Sequence, residues 1–599
     1  MAAQPSSRDI ARTLRAAIPH HKTQVFHLPP TASPIGSTVE LLVENLDTQP
    51  EAHLTDTRRK LSWIVPLSRR DDGTWRASLL LPSEPTILEY EFRIVHDPAI
   101  PTIKEFRQVE GRNTPVYGEW EEKPFKIAVY DPAQMPADWT RGMVIYQIFP
   151  DRFADGDPTT NQASKGVYGL PPLFKQWGEV PEKPPMGRDF FGGDLRGVIE
   201  HLDYIEDLGI DCVYFTPIFH AASNHRYEAI NYLKIDPMLG TDADFDELVE
   251  ELHARGMRIV LDGVFNHCSA DSIYFQDAKR SKESPFYRWF TFTTYPDEPV
   301  GWWGYGFMPE FIECPEMEYF FLGEGGVTEH WLRRGIDGWR LDVAFDNTDE
   351  FWRRFRKRVN AVKQGAYLVS ELWTDSTHYM LGDTFNGTMN YRVTWAVRGF
   401  LAYDKLSPSE LDDRLHTFLR DTPPPAVQSQ MNLLDSHDSD RILTACGGDV
   451  RRAKQCYAFI FAFPGAPMIY YGGETNLQGE YAEDGRRTMP WDKLDTSMID
   501  WMRGALLVRR ALPALCTGDF APVIVDDACK VYGFLRAQNG ESVYALYNAS
   551  DSPAAILLSG VIGTWRDVLH LDPLEITDTS DGLHVTLPAR GAAWLVEMN

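Results

Sequence analysis

From about residue 140 onward, eight short apolar runs alternate with segments of helical period, and this alternation leaves the chain few folds to choose from. The runs are MVIYQIF, CVYFTPIF, MRIVLDGVFNH, GWRLDVAF, YLVSELW, a weaker GTMNYRV, QMNLLDSHD and PMIYYGG. Parallel strands joined by helices read this way, and eight of them suit an α/β fold closed as a (β/α)8 TIM barrel. Between them, Phe245, Leu248, Val249 and Leu252 fall at i, i+3, i+4 and i+7, and Phe351, Phe355 and Val359 recur at four-residue intervals. Each such segment has one apolar face to lay on a sheet.

The flanks have a different grammar. Up to about residue 125, runs such as TVELLVEN, TWRASLLLP after the Asp72-Gly73 turn and ILEYEFRIV predict an N-terminal β-sandwich over 1–125. A linker with Pro124, Pro132 and Pro136 leads to the barrel, expected over 138–511. An aromatic-rich excursion at 268–330 follows the third strand, and short runs over 512–599 predict a C-terminal β-sandwich. A chain of 599 residues has the length for several such cores.

Bulk properties narrow the partners. A formal net charge of -27 disfavours nucleic acid and anionic membranes while leaving neutral substrates open. Seven scattered cysteines with no CxxC pair argue against a disulfide framework and a thiolate zinc site, which fits a reducing compartment. The opening MAAQPSSRDIARTLRAAIPHHK has no uninterrupted apolar core and reads as a frayed helix rather than a secretion signal, so a cytoplasmic protein is expected.

Several strand candidates end in acids: Asp262, Asp342, Glu371, and Asp435 with Asp438. In a (β/α)8 barrel the carboxyl ends of all strands meet at one rim, so acids far apart in sequence converge. Retaining hydrolysis of a glycosidic bond needs one carboxylate at the anomeric carbon and one carboxylic acid at the leaving oxygen, about 5–5.5 Å apart. Arg340 and Asp342 are two apart on a strand and share a side, so the guanidinium is expected to hold Asp342 ionised as nucleophile, leaving Glu371 as proton donor. Taken singly, each acid is equally well explained as a helix cap. There is no GxSxG elbow, phosphate loop, dinucleotide fingerprint or HExxH pair to support other chemistries, and no organic cofactor is expected.

DGVFNH, GWRLDVAFD, VSELW and LLDSHDSDRI, in this order, resemble the four signature regions of the α-amylase superfamily. The resemblance implies Asp342 as nucleophile, Glu371 as acid/base and Asp438 as the third acid, gripping sugar hydroxyls. It also implies His267, Arg340 and His437 as substrate-binding or supporting residues and Asp262 as a structural acid beneath the site. SNHRYEAINYLKIDP is similar to the stretch that lines the reacting-sugar subsite, here His225 and Tyr227.

The N-terminal β domain, YQIFPDRFADGDPTTN and FFGGDL narrow the resemblance to neopullulanases, cyclomaltodextrinases and maltogenic amylases. The implied activity is cleavage of α-1,4 bonds in maltooligosaccharides, cyclodextrins, starch or pullulan, with transglycosylation, in a homodimer. FMPEF stands where that subset has MPKLN, and Phe345 where it has asparagine. Asp155, Asp157, Asn161, Gly192 and Asp194 match its calcium site, a set of oxygen donors that suits a hard cation, although Thr160 departs from the usual asparagine. Alternatives are a dedicated α-glucan transferase, a sucrose- or trehalose-acting relative, and, from another class, a non-catalytic sugar-binding protein.

Overall fold

The computed structural model describes residues 26–27, 29–94, 102–111 and 114–598. The helix expected in the opening segment lies outside these residues. At the centre, eight parallel strands occupy the eight apolar runs: β1 Ile145–Ile148, β2 Cys212–Phe215, β3 Arg258–Gly263, β4 Gly338–Leu341, β5 Tyr367–Ser370, β6 Gly387–Thr388, β7 Met431–Asn432 and β8 Ala466–Tyr470. They pair in the order β6-β5-β4-β3-β2-β1-β8-β7, and a parallel bridge between Met389 and Met431 joins the two ends into a ring.

The run GTMNYRV contributes only Gly387–Thr388 to the sheet, because the Asn390 side chain accepts from Val393 N and opens the helix Tyr391–Val397. The amphipathic segments fold as read. In helix Asp242–Ala254, fixed at its start by a Thr241/Asp244 capping box, the buried residues are Phe245, Leu248, Val249 and Leu252. In helix Asp349–Val362, Trp352 joins Phe351, Phe355 and Val359 inside. Each such side chain contributes roughly 1.5–3 kcal/mol of burial.

The aromatic excursion holds helix Ile273–Arg280 and a small hairpin, Phe292–Thr294 with Glu298–Pro299. Helices Pro315–Leu322 and Val327–Arg333 then return to the barrel, where Phe321, Val327 and Trp331 enter the main core. Ahead of the barrel, two antiparallel-rich sheets enclose Leu41, Leu54, Leu88 and Ile127. Their last strand, Phe125–Tyr130, pairs with Thr86–Ile94 and carries this sheet past residue 125. Behind the barrel, a five-stranded and a three-stranded sheet pack over Leu546, Leu558, Val585 and Leu595. Among the described residues no helix is long and apolar enough to cross a membrane.

Candidate active site

Adjacent strands deliver the acids. Asp262 is the penultimate residue of β3, Asp342 follows β4 and Glu371 follows β5, while Asp438 stands in the loop after β7. In-register pairing sets Asp262 beside Arg340 across β3 and β4. The Arg340 guanidinium is fully buried, and its Nη1 donates to both Asp262 oxygens and to Asp342 Oδ1, each at 2.8 Å. Its Nη2 lies 3.0 Å from Glu371 Oε2, within ion-pair range but off the angle of a hydrogen bond.

The two-residue spacing of Arg340 and Asp342 predicts a guanidinium reserved for Asp342, and the structure differs. Arg340 does not select Asp342; it is shared by three carboxylates, because a short barrel strand aims its inward side chains at both neighbours' ends. Asp342 and Glu371 therefore face one guanidinium from neighbouring strands.

The turn after Asp342 is strained. Val343 adopts φ +37°, ψ +51°, which costs an ordinary β-branched residue about 1–3 kcal/mol. That conformation aims its N–H at Glu371 Oε2 (3.0 Å), while Trp373 Nε1 donates to Glu371 Oε1 (2.9 Å). Both Glu371 oxygens are thereby fixed in direction.

Burial is the largest influence on Asp342, Asp262 and Asp438. It pushes the Asp342 carboxyl well above the usual range, with Arg340 opposing and Glu371 adding to the rise. It pushes Asp262 up to about 6 against Arg340 and the hydroxyls of Tyr214 and Tyr227, and it raises Asp438 against Arg486. Buried carboxyls this close together raise one another's affinity for a proton, the setting that acid-assisted bond cleavage uses.

The imidazoles are held neutral. Burial, with Arg486 and Arg340, drives His437 well below its ordinary value; burial brings His225 to about 4 and His267 to about 3. Gln147 Nε2 donates to His437 Nδ1 (2.8 Å), which assigns the ring proton to Nε2, facing Asp438 Oδ2 at 3.1 Å and the Tyr227 hydroxyl. Tyr227 stacks on His437 (5.3 Å, 5°) and donates to Asp262 (2.9 Å). Both His267 ring nitrogens are buried without a protein partner, and the ring stacks on Trp302 at 5.1 Å. His225 Nδ1 lies 3.1 Å from Ser223 Oγ. Asp435 turns away to accept from Ile442 N.

Trp373, Arg486, Gln147, Tyr214 and Trp302 belong to this site and were not singled out from the sequence. Arg486 Nε donates to the His437 carbonyl (2.8 Å) and its Nη2 reaches Asp438 at 3.5 Å. Arg486 lies in the run DGRRTMPWD (484–492) after β8, and nothing in the pattern of that run points at Asp438. FMPEF lies against His267 through a bridge to Glu310, and Phe345 is half exposed.

The five oxygen-bearing positions near residue 155 are brought together only in part. Asp155 Oδ2 accepts from Asn161 Nδ2 (2.7 Å), and Asn161 Oδ1 is buried without a partner. Gly192 (φ +90°) presses on this amide so closely that a Cβ would stand 2.6 Å from it. Asp194 instead caps helix Leu195–Glu200, accepting from the N–H groups of Gly156, Asp157 and Gly197, and Asp157 accepts from Thr159. Among the described residues no three or more His, Cys, Asp or Glu side chains converge as a metal cage. Asp155, Asp157 and Asn161 carry hard oxygen donors of the kind calcium takes, with Asp157 Oδ1 engaged by Thr159, while both Asp194 oxygens are engaged by backbone N–H groups.

A (β/α)8 barrel with two carboxyl groups on one guanidinium at the ends of neighbouring strands, beside neutral histidines and aromatic rings, is the arrangement of a glycoside hydrolase. The family model for the α-amylase catalytic domain matches residues 147–307 and 322–502. A cyclomaltodextrinase of Geobacillus thermopakistaniensis is 37% identical over 430 residues, covering 70% of this chain and 71% of the relative. Neopullulanase 2 of Thermoactinomyces vulgaris is 35% identical over 447 residues, covering 72% and 74%. The structure of the cyclic α-maltosyl-(1→6)-maltose hydrolase of Arthrobacter globiformis superposes with a TM-score of 0.68 at 34% identity, over 77% of this chain and all of that one. The chain belongs to the α-amylase family of glycoside hydrolases.

Proposed function

We propose that this enzyme cleaves α-1,4 bonds of maltooligosaccharides, cyclodextrins, starch or pullulan with retention, and passes part of its glycosyl groups to sugar acceptors. The observation that carries the reading is the single Arg340 guanidinium held between Asp342 and Glu371. Asp342 attacks the anomeric carbon while Glu371 protonates the leaving oxygen; Glu371 then takes a proton from the water, or sugar hydroxyl, that opens the ester. Asp438 grips ring hydroxyls, braced by Arg486 and His437. His225, Tyr227 and His267 bind the reacting sugar, since a pyranose ring offers a hydroxyl edge to imidazole nitrogens and an apolar face to tyrosine. Arg340 and Asp262 fix the floor.

Asp155 and Asn161, with the Gly192 backbone against them, hold a structural calcium ion in this reading. Its charge would satisfy the orphaned Asn161 oxygen. All seven cysteines are free thiols, in keeping with a reducing cytoplasm.

The test is product analysis of wild type and Asp342→Asn on maltotriose, β-cyclodextrin, pullulan and sucrose. Wild type is expected to release maltose and glucose of α configuration, and the variant nothing. Sucrose turnover, β-configured first products or an active variant would each refute the reading.

A further inference from the structure

We propose that the N-terminal β domain positions the proton donor within its own chain: Lys126 and Arg107 hold Asp375, the end of the loop that starts at Glu371, and thereby fix the Trp373 indole on Glu371. The inference rests on the assignment of Glu371 as acid/base and goes beyond it.

Residues 371–375 leave β5 together. Asp375 divides its carboxylate between two tasks. Oδ1 accepts from Thr377 N (3.1 Å) and Oγ1 (2.6 Å), which shapes the turn; Oδ2 is ion-paired with Lys126, from the N-terminal strand Phe125–Tyr130. Lys126 also reaches Asp421 at 3.0 Å, and Arg107 approaches Asp375 and Asp421 at 3.9 and 3.7 Å. The three cations Lys126, Arg392 and Arg107 hold the Asp375 carboxyl well below the usual range against the desolvation that would raise it.

A second arm meets the same indole from the other side. Glu110 of the N-terminal domain accepts from Arg392 Nε at 2.7 Å, and the preceding Tyr391 stacks on Trp373 with centroids 3.9 Å apart and planes 9° from parallel. Trp373 is thus set between a loop anchored by Lys126 and a ring anchored through Arg392. Its Nε1–H bond to Glu371 Oε1 (2.9 Å) is the end of both chains of contact.

A buried ion network between two domains adds little stability, because desolvation offsets the attraction; what it supplies is fixed geometry. Lys126, at 8% side-chain exposure, and Asp421, fully buried, bear that desolvation. The residue fixed at the far end is the one for which misplacement of about 1 Å costs up to ~100-fold in rate.

The experiment compares kcat/KM on two probes in the full chain. Maltotriose has a sugar leaving group that needs a proton; α-maltosyl fluoride has one that scarcely does. For Lys126→Met, a fall of about 10- to 100-fold is expected on maltotriose with a change under about 3-fold on the fluoride, and Lys126→Arg restores most of the loss. Arg107→Gln, the milder change, is expected to show the same split at several-fold size and carries the test if Lys126→Met does not fold. Equal falls on both probes, or no fall on either, overturn the inference. Glu371→Gln is the reference: should it lack the split, the acid/base assignment is wrong, whereas a split there without one at Lys126 and Arg107 refutes the positioning alone.

Discussion

Asp342→Asn should make the protein more stable at neutral pH while abolishing turnover. Asp342 is 6% exposed and shares its surroundings with Glu371, Asp262 and Asp438 against the charge of Arg340. At an effective dielectric constant of about 20, repulsion between two carboxylates at the roughly 5.5 Å of a retaining pair is about 3 kcal/mol, and attraction between unit charges about 4 Å apart, as for a carboxylate on the Arg340 guanidinium, is about 4 kcal/mol. These nearly cancel, and an asparagine oxygen still accepts from Nη1, so the remaining difference is the desolvation of one carboxylate, several kcal/mol before relaxation. A net gain of about 1–3 kcal/mol follows. Because the folded carboxyl is raised above its unfolded value of about 3.9, the stability it withholds is zero below that pH and grows as the pH climbs through the folded value. Urea unfolding of both proteins at about pH 4 and about pH 7.5 is the assay; the two should unfold alike in acid and diverge at neutrality, with the variant the stronger. A variant that is weaker at neutral pH, or a gap that widens on acidification, would refute the account of a charge cluster restrained by one arginine.

Three further outcomes are expected. Trp373→Phe keeps the stack on Tyr391 but deletes the donor to Glu371 Oε1, so kcat/KM on maltotriose should fall about 10-fold or more with little change in thermal midpoint; unchanged kinetics would sink the role of the indole. Gly192→Ala places a Cβ 2.6 Å from the Asn161 amide at φ +90°, and should lower the thermal midpoint through a loss of about 1–3 kcal/mol, with no loss arguing that the close approach is unimportant. Calcium at about 100 times its dissociation constant should stabilise wild type by about 2.7 kcal/mol and leave Asp155→Ala unaffected; equal responses would remove the metal from the Asp155–Asn161 pair.

The barrel and its acids were legible because both follow from local periodicity. A strand ends where its apolar run ends, and Asp262, Asp342 and Glu371 stand at those ends. The sixth strand was read too long because GTMNYRV has strand-like composition, while the Asn390 cap that turns it into helix is a single side-chain bond. Arg340 was placed correctly beside Asp342, but its bonds to Asp262 and Glu371 depend on the register of three strands, which no window along the chain records. Trp373 and Arg486 went unnoticed for a similar reason: their partners are fixed by loops. The contacts of Lys126 with Asp375 and of Arg392 with Glu110 link positions 249 and 282 residues apart and leave no periodic trace.

The ring is not equally strong all the way round. Between β6 and β7, each two residues long, backbone pairing is limited to the Met389–Met431 bridge and the bond from Asn390 N to the Met431 carbonyl, helped by side-chain bonds such as Asn390–Asn432 and Thr388 N to Gln430 Oε1. Like the clasp of a bracelet, this joint is where the hoop is expected to part first, with amide exchange faster there than along β3 and β4. The loop bearing Asp438 springs from the clasp, whereas Asp342 and Glu371 sit on the soldered side. The acid proposed to grip the sugar thus stands on the weaker joint, and the two proposed to cut it on the stronger.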